Sequence, residues 1–135
     1  MKIKNLSHLC LSSKDLAKVK EFYVDLLGLE IAHKFLNINK ELYGYFIHCG
    51  NGTFIEFFKT EKINKKNQNI YRHLCLEVKD IKDVAKIFKN SNNNIEIKRG
   101  NTDNILQFFV RDFEDNLIEF HQNDSLSKLN KYTIK

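Results

Sequence analysis

No stretch of the sequence approaches the roughly 20 apolar residues needed to span a bilayer, and no basic segment near its start leads into an apolar one. Neither a membrane helix nor a secretory leader of the usual form is therefore expected, and the expectation is a cytoplasmic protein. Cysteine is scarce and odd in number: Cys10, Cys49 and Cys75 do not suggest a disulfide framework. Each falls inside an expected strand, which fits reduced structural thiols. Neither a CxxC spacing nor a neighbouring histidine base marks any of the three as a ligand or nucleophile. Arginine is rare too, three against 19 lysines, and the formal charge of +5 is diluted by 17 acidic residues. Nucleic-acid interfaces show a clustered, arginine-rich stripe with interleaved aromatics. The densest basic stretch, residues 59–66, is broken by Glu61 and has no such aromatics. Neither nucleic acid nor membrane is an expected partner. The absence of proline and the sixteen asparagines carry no chemistry.

What is present suits a globular chain. Eleven Phe and five Tyr in 135 residues supply enough large apolar surface for one ordinary domain, and argue against disorder. The chain also repeats itself. His8-Leu9-Cys10-Leu11, followed by Lys14 and Asp15, recurs 65 residues later as His73-Leu74-Cys75-Leu76, followed by Lys79 and Asp80. The chain is therefore read as one module written twice.

In the first copy, residues 3–11 read as a strand, and Asp15 as the cap of a helix carrying Leu16, Val19, Phe22, Tyr23, Leu26 and Leu27 at helical spacing. Gly28 ends it. Strands are expected over 30–35, 42–49 and 53–58, with Gly50-Asn51-Gly52 as the hairpin turn between the last two. A polar connection follows over 59–69. The second copy repeats the order: a strand over 71–78, Asp80 as cap, a helix carrying Ile81, Val84, Ala85, Ile87 and Phe88, and strands over 95–98, 105–111 and 117–121. The last two are joined by the turn Asp112–Asn116. The expected fold is α+β: two tandem βαβββ modules, residues 1–60 and 70–122, forming a curved mixed sheet around a concave metal or ligand site. Residues 123–135 form a polar tail with a short helix near Leu126 and Leu129.

Glu56 interrupts Phe54-Ile55-Glu56-Phe57-Phe58, where an unpaired carboxylate is costly to bury. The alternative is an edge position facing water. An offset of 63 places Glu56 on Glu119, and Tyr45-Phe46-Ile47 on Phe108-Phe109-Val110. Each copy thus offers one histidine and one glutamate from otherwise apolar strands. If the first and last strands of each module run side by side, His8 with Glu56 and His73 with Glu119 converge. Such a His₂Glu₂ set leaves positions on a divalent metal open for substrate. Nitrogen and oxygen donors suit Ni, Co, Zn, Mn or Fe(II). Taken singly, His8 reads first as a core or edge histidine bonded to backbone; the joint pattern of both copies is what points to a metal.

The strand His8–Leu11, the helix with Phe22-Tyr23 and Leu27-Gly28-Leu29, the strand end Ile55-Glu56-Phe57, the restart His73–Asp80 and the closing Arg111–Phe120 together resemble the glyoxalase/bleomycin-resistance/extradiol-dioxygenase group, the vicinal oxygen chelate superfamily. The resemblance covers residues 3–121 and is nearest to lactoylglutathione lyase, the glyoxalase I type. Phe113 stands where relatives commonly have proline. The resemblance implies a divalent metal held by His8, Glu56, His73 and Glu119, with Glu56 and Glu119 as proton-shuttling catalytic residues. It also implies a small-molecule substrate such as a hemithioacetal, and a homodimer in which the site can be shared between chains. Weaker substrate-contact candidates are Phe35, Tyr43, Gln107 and Arg111; Tyr45 and Phe108 read first as packing residues. His48 and His121 are minor candidates. Rival readings within the group are an extradiol Fe(II) dioxygenase using His8, His73 and Glu119, an epimerase, and a non-catalytic drug-binding protein of the bleomycin-resistance kind.

Overall fold

The computed structural model describes residues 2, 4–63 and 71–133. Most of the expected connection over 59–69, and the first and last positions of the expected strand 3–11 and tail 123–135, involve residues outside that set. The described chain forms two compact units, divided between residues 68 and 69, which correspond to the two modules. Among the described residues no helix is long and apolar enough to cross a membrane.

Module 1 runs β1 (His8–Ser13), a helix that begins as α1 (Leu16–Val19) and continues with π geometry over Lys20–Leu26, then β2 (Glu30–Leu36), β3 (Leu42–Gly50) and β4 (Thr53–Lys59). Its sheet has the order β1-β4-β3-β2, with β1 parallel to β4 and the other pairs antiparallel. Module 2 repeats the plan: β5 (Leu74–Glu77), α2 (Ile81–Ile87), β6 (Lys98–Arg99), β7 (Leu106–Arg111) and β8 (Leu117–Gln122). Its order is β5-β8-β7-β6, with β5 parallel to β8. Each module is thus a βαβββ unit with its own four-stranded mixed sheet. In both, the last strand lies inside the sheet, between the first strand and the third.

Local chemistry starts and stops these elements. The Asp15 carboxylate accepts from Lys18 N–H at 3.2 Å, and that of Asp80 from Lys82 N–H at 2.9 Å and Asp83 N–H at 3.3 Å, filling donors that a helix start leaves unpaired. Gly28 closes the first helix at φ +76°, a conformation a side chain disfavours. Asn51 and Gly52, at φ +51° and +71°, make the tight turn from β3 to β4. The π stretch departs from the α-helix expected over 16–27. The Leu27 N–H bonds Phe22 C=O five residues back, and Lys20 Nζ meets Asp25 Oδ1 at 3.0 Å with the same spacing.

Strand alternation then sorts each sheet into two faces. One face carries the core. In module 1, Leu16, Val19 and Tyr23 are buried on the helix, with Tyr45, Ile47, Ile55 and Phe57 on the sheet; the Tyr23 and Phe57 ring centroids are 4.9 Å apart. In module 2, Ile81 and Phe88 are buried with Leu74, Phe108, Val110, Ile118 and Phe120, and Phe88 meets Phe120 at 5.8 Å. The repeat therefore extends to the core: Tyr23 on Phe57 in one copy matches Phe88 on Phe120 in the other. Each such side chain contributes roughly 1.5–3 kcal/mol by leaving water.

Three boundaries differ from the sequence reading. β1 starts at His8, not residue 3. β5 starts at Leu74, not Tyr71, so His73 lies just before the strand. The reason is the Tyr71 hydroxyl, which accepts from Leu74 N–H at 3.2 Å and donates to Leu117 C=O at 3.1 Å in place of a backbone ladder. β6 is displaced from 95–98 to Lys98–Arg99. The Arg99 guanidinium bonds Asn104 C=O at 2.7 Å and grips the Asp124 carboxylate through two bonds, at 3.2 and 2.6 Å. That grip also ties down the start of the tail, where Ser127 is buried and Lys128 N–H bonds Asp103 C=O. The only helical segment described in the tail is the single 3₁₀ turn Asn130–Tyr132.

Candidate metal centre

The face opposite each core holds the candidate site. In module 1, His8, Cys10 and Ser12 of β1 lie beside Phe54, Glu56 and Phe58 of β4, which lie beside His48, Phe46 and Gly44 of β3. Glu56 is therefore on an inner strand, with a side chain only 13% exposed, and the water-facing edge reading is set aside. His8 Nε2 stands 3.9 Å from Glu56 Oε1, and the His8 ring packs edge-on against Phe46 at 5.3 Å.

Module 2 repeats the arrangement. Cys75 and Glu77 of β5 pair with Glu119 and His121 of β8, which pair with Phe109 and Gln107 of β7. His73 Nε2 lies 2.9 Å from Glu119 Oε2, and the Glu119 side chain is 12% exposed. The His73 ring meets Phe109 edge-on at 5.5 Å. Thus each copy presents an imidazole directed at a mostly buried carboxylate, with a phenyl ring holding the imidazole from the side. Tyr71, whose hydroxyl bridges Leu74 and Leu117, fixes the segment that carries His73. Its role depends on a contact 46 residues away, which periodicity could not reveal.

The cysteines divide. Cys49 is a half-buried structural thiol, donating weakly to Ile47 C=O, and burial pushes it up to about 11. Cys10 and Cys75 are free thiols as well, and differ from Cys49 in position. Both are exposed residues on the candidate face, opposite Glu56 and Glu119 in the strand register. Partial burial of the sulfur raises both thiols, and the adjacent Glu56 or Glu119 carboxylate raises them further by accepting the thiol hydrogen bond and repelling a thiolate. The repeated "HLCL" carried that signal: a cysteine two positions after each histidine shares its face.

The substrate-contact candidates are spread over this framework. Phe35 and Tyr43 join an aromatic wall in module 1. Phe35 contacts Tyr43, Phe46 and Phe58 with centroids 5.0–5.8 Å apart, and Tyr43 stacks on Phe58 at 5.9 Å. Gly44 makes the wall possible, since a Cβ there would come within 2.7 Å of Phe58 Cδ1 and 2.6 Å of Phe57 C=O oxygen. Gln107 is half-buried beside His121. Arg111 is engaged at the strand end, its guanidinium donating to Asp115 C=O at 2.9 Å. Tyr45 and Phe108 are buried on the core face. His48 meets Phe54 at 5.4 Å, and His121 Nδ1 lies 4.0 Å from Glu119 Oε1.

The donor chemistry fits a divalent cation. Each nearly buried carboxylate lacks a Lys or Arg in any described ion pair and is met by imidazole nitrogen instead, the donor pair that nickel, cobalt, zinc, manganese and iron accept.

Comparison with known proteins bears on the fold and the family. A search of curated proteins finds no match. Among solved structures, a glyoxalase family protein from Enterococcus faecalis is similar with a TM-score of 0.72 at 19% identity, over 90% of this chain and 99% of that one. A glyoxalase/bleomycin resistance protein/dioxygenase from Alicyclobacillus acidocaldarius gives a TM-score of 0.63 at 20% identity, over 87% and 90%. A virulence protein from Salmonella typhimurium gives 0.63 at 21%, over 92% and 100%. At such identities the likeness is one of fold. Residues 5–120 match the sequence profile of the family as well, and with the duplicated βαβββ plan they place this chain in the Glyoxalase/Bleomycin resistance protein/Dioxygenase superfamily.

Proposed function

We propose that this protein is a metal-dependent lyase or isomerase of the glyoxalase I type. In this reading His8, Glu56, His73 and Glu119 hold one divalent cation, both modules contributing a pair from one chain or from two chains of a homodimer. The observation that carries it is the duplicated imidazole–carboxylate pair, His8 to Glu56 at 3.9 Å and His73 to Glu119 at 2.9 Å, on equivalent strands of two copies. A bound divalent cation supplies Lewis-acid stabilisation of negative charge developing on adjacent substrate oxygens.

The chain's own residues do the rest. Glu56 and Glu119 sit on inner strands and are shielded from water, so either carboxylate is a base kept close to a bound substrate. The imidazoles of His8 and His73 orient them, and the rings of Phe46 and Phe109 limit the swing of those imidazoles. A small carbonyl adduct, such as a hemithioacetal, offers the vicinal oxygens and the transferable proton that this set serves. Its apolar part rests on Phe35 and Tyr43, and Gln107 offers an amide on the module 2 face.

The aromatic wall of Phe35, Tyr43, Phe46 and Phe58 favours one alternative, a protein that binds a planar drug-like molecule without turning it over. One experiment separates the two. Purified protein is analysed for bound metal, then assayed with methylglyoxal and a panel of thiols after adding Ni, Co, Zn, Mn or Fe(II). The lyase reading expects metal-dependent turnover that Glu56→Gln and Glu119→Gln abolish. Protein that retains no metal and gains no activity with any of them would falsify it.

A further inference from the structure

The two candidate faces share His, Cys, Glu and Phe at equivalent positions, His8, Cys10, Glu56 and Phe46 against His73, Cys75, Glu119 and Phe109, and differ at others, Phe58 against His121 among them. In module 2, Cys75 Sγ, a Glu119 carboxylate oxygen and a His121 ring nitrogen all lie within 4.8 Å of one another. Glu119 Oε1 faces His121 Nδ1 at 4.0 Å, while its other oxygen faces His73 Nε2 at 2.9 Å. One carboxylate therefore stands among two imidazoles and a thiol. Strand register produces this convergence: Cys75 is directly opposite Glu119 across the parallel β5–β8 pair, and His121, two residues beyond Glu119, returns to the same face. Module 1 has the first two members in the same relation, Cys10 opposite Glu56. At the third position it has Phe58, packed on Phe35 and Tyr43. The two copies thus differ there, with an aromatic wall in one and a side chain of a metal-ligating type in the other.

We propose that Cys75, Glu119 and His121, joined by His73, form a sulfur-containing metal site within module 2 that takes zinc or another thiophilic divalent cation. This goes beyond the nitrogen–oxygen set of the preceding section. It shares Glu119 and His73 with that set but needs nothing from module 1. Donor atoms bonded at about 2.0–2.3 Å to a tetrahedral zinc stand roughly 3.3–3.8 Å apart, so modest side-chain rotations bring this group to bonding distance. Sulfur in the set favours zinc or cobalt over hard cations such as magnesium.

Cobalt(II) tests this directly, because thiolate bound to it gives a near-ultraviolet charge-transfer absorption that nitrogen and oxygen ligands do not. Full-length protein stripped by a chelator and titrated with Co(II) is expected to develop that band at one equivalent. Cys75→Ser removes it, Cys10→Ser keeps it, and His121→Phe weakens Co(II) binding at least about tenfold. The unaltered protein gives a second readout: one equivalent of Zn(II) shields Cys75, and neither Cys10 nor Cys49, from a thiol-labelling reagent, as peptide mass mapping reports. Co(II) that binds without the band, or zinc that shields Cys10 instead, overturns this proposal and leaves the nitrogen–oxygen site standing. Absence of any Co(II) binding by the unaltered protein overturns this proposal, and the nitrogen–oxygen site is then decided by the five-metal assay above.

Discussion

Gly44 and Tyr71 show how single residues shape the candidate faces without carrying chemistry. Gly44 leaves room for the Phe35 and Phe58 rings, and an added methyl would meet Phe57 C=O oxygen at 2.6 Å. A backbone carbonyl in a sheet ladder cannot swing aside as a side chain can. Gly44→Ala is expected to cost about 1–3 kcal/mol by overpacking, read as a shift in the urea midpoint at unchanged slope. Tyr71 acts through its hydroxyl. Tyr71→Phe leaves Leu74 N–H and Leu117 C=O unpaired, at about 1–3 kcal/mol, and frees the segment holding His73. Its metal affinity should fall along with its stability. A variant destabilised but unchanged in metal binding would show that His73 is placed by other contacts.

The helices, strands and turns were legible where one local force sets them. Asp15 and Asp80 could be read as caps because a carboxylate before an apolar helical pattern serves the helix's own unpaired N–H groups, a contact two or three residues away. Asp80→Ala is expected to cost about 1 kcal/mol, measurable by chemical denaturation. β6 and the tail were less legible because Arg99 and Asp124, 25 residues apart, decide them together. The Arg99 guanidinium holds the Asp124 carboxyl at about 2, down from 3.8, with Leu126 N–H and the Ser127 hydroxyl adding to the effect against burial. A carboxylate depressed in the folded state stabilises fully above its ordinary value, and that contribution disappears as pH falls through the folded one. The difference in melting temperature between the protein and Asp124→Asn should therefore be constant from neutrality to about pH 4 and shrink toward pH 2. A difference that stays level across that window would mean the ion pair contributes nothing.

For the molecule as a whole, a cation bound only by the folded state raises the melting temperature by mass action. Adding Ni, Co or Zn to chelator-treated protein should raise it progressively with concentration. The double variant Glu56→Gln/Glu119→Gln should lose the response, and an unchanged response would place the cation elsewhere. The duplication, the α+β class and the His–Glu pairs were determined by sequence alone. They rest on period-2 and helical spacing, and on the cost of setting a carboxylate in an apolar strand, all of which are local. The tertiary structure decided what those residues meet. It placed Glu56 and Glu119 on inner strands, turned Cys10 and Cys75 toward them, engaged Arg111 with Asp115, and set His121 beside Glu119 where the first copy has Phe58. Strand register brings together residues tens of positions apart, and no local pattern encodes that pairing. The repeated "HLCL" could therefore suggest a site, while only the paired strands disclosed that its cysteine lies opposite the glutamate on the same face.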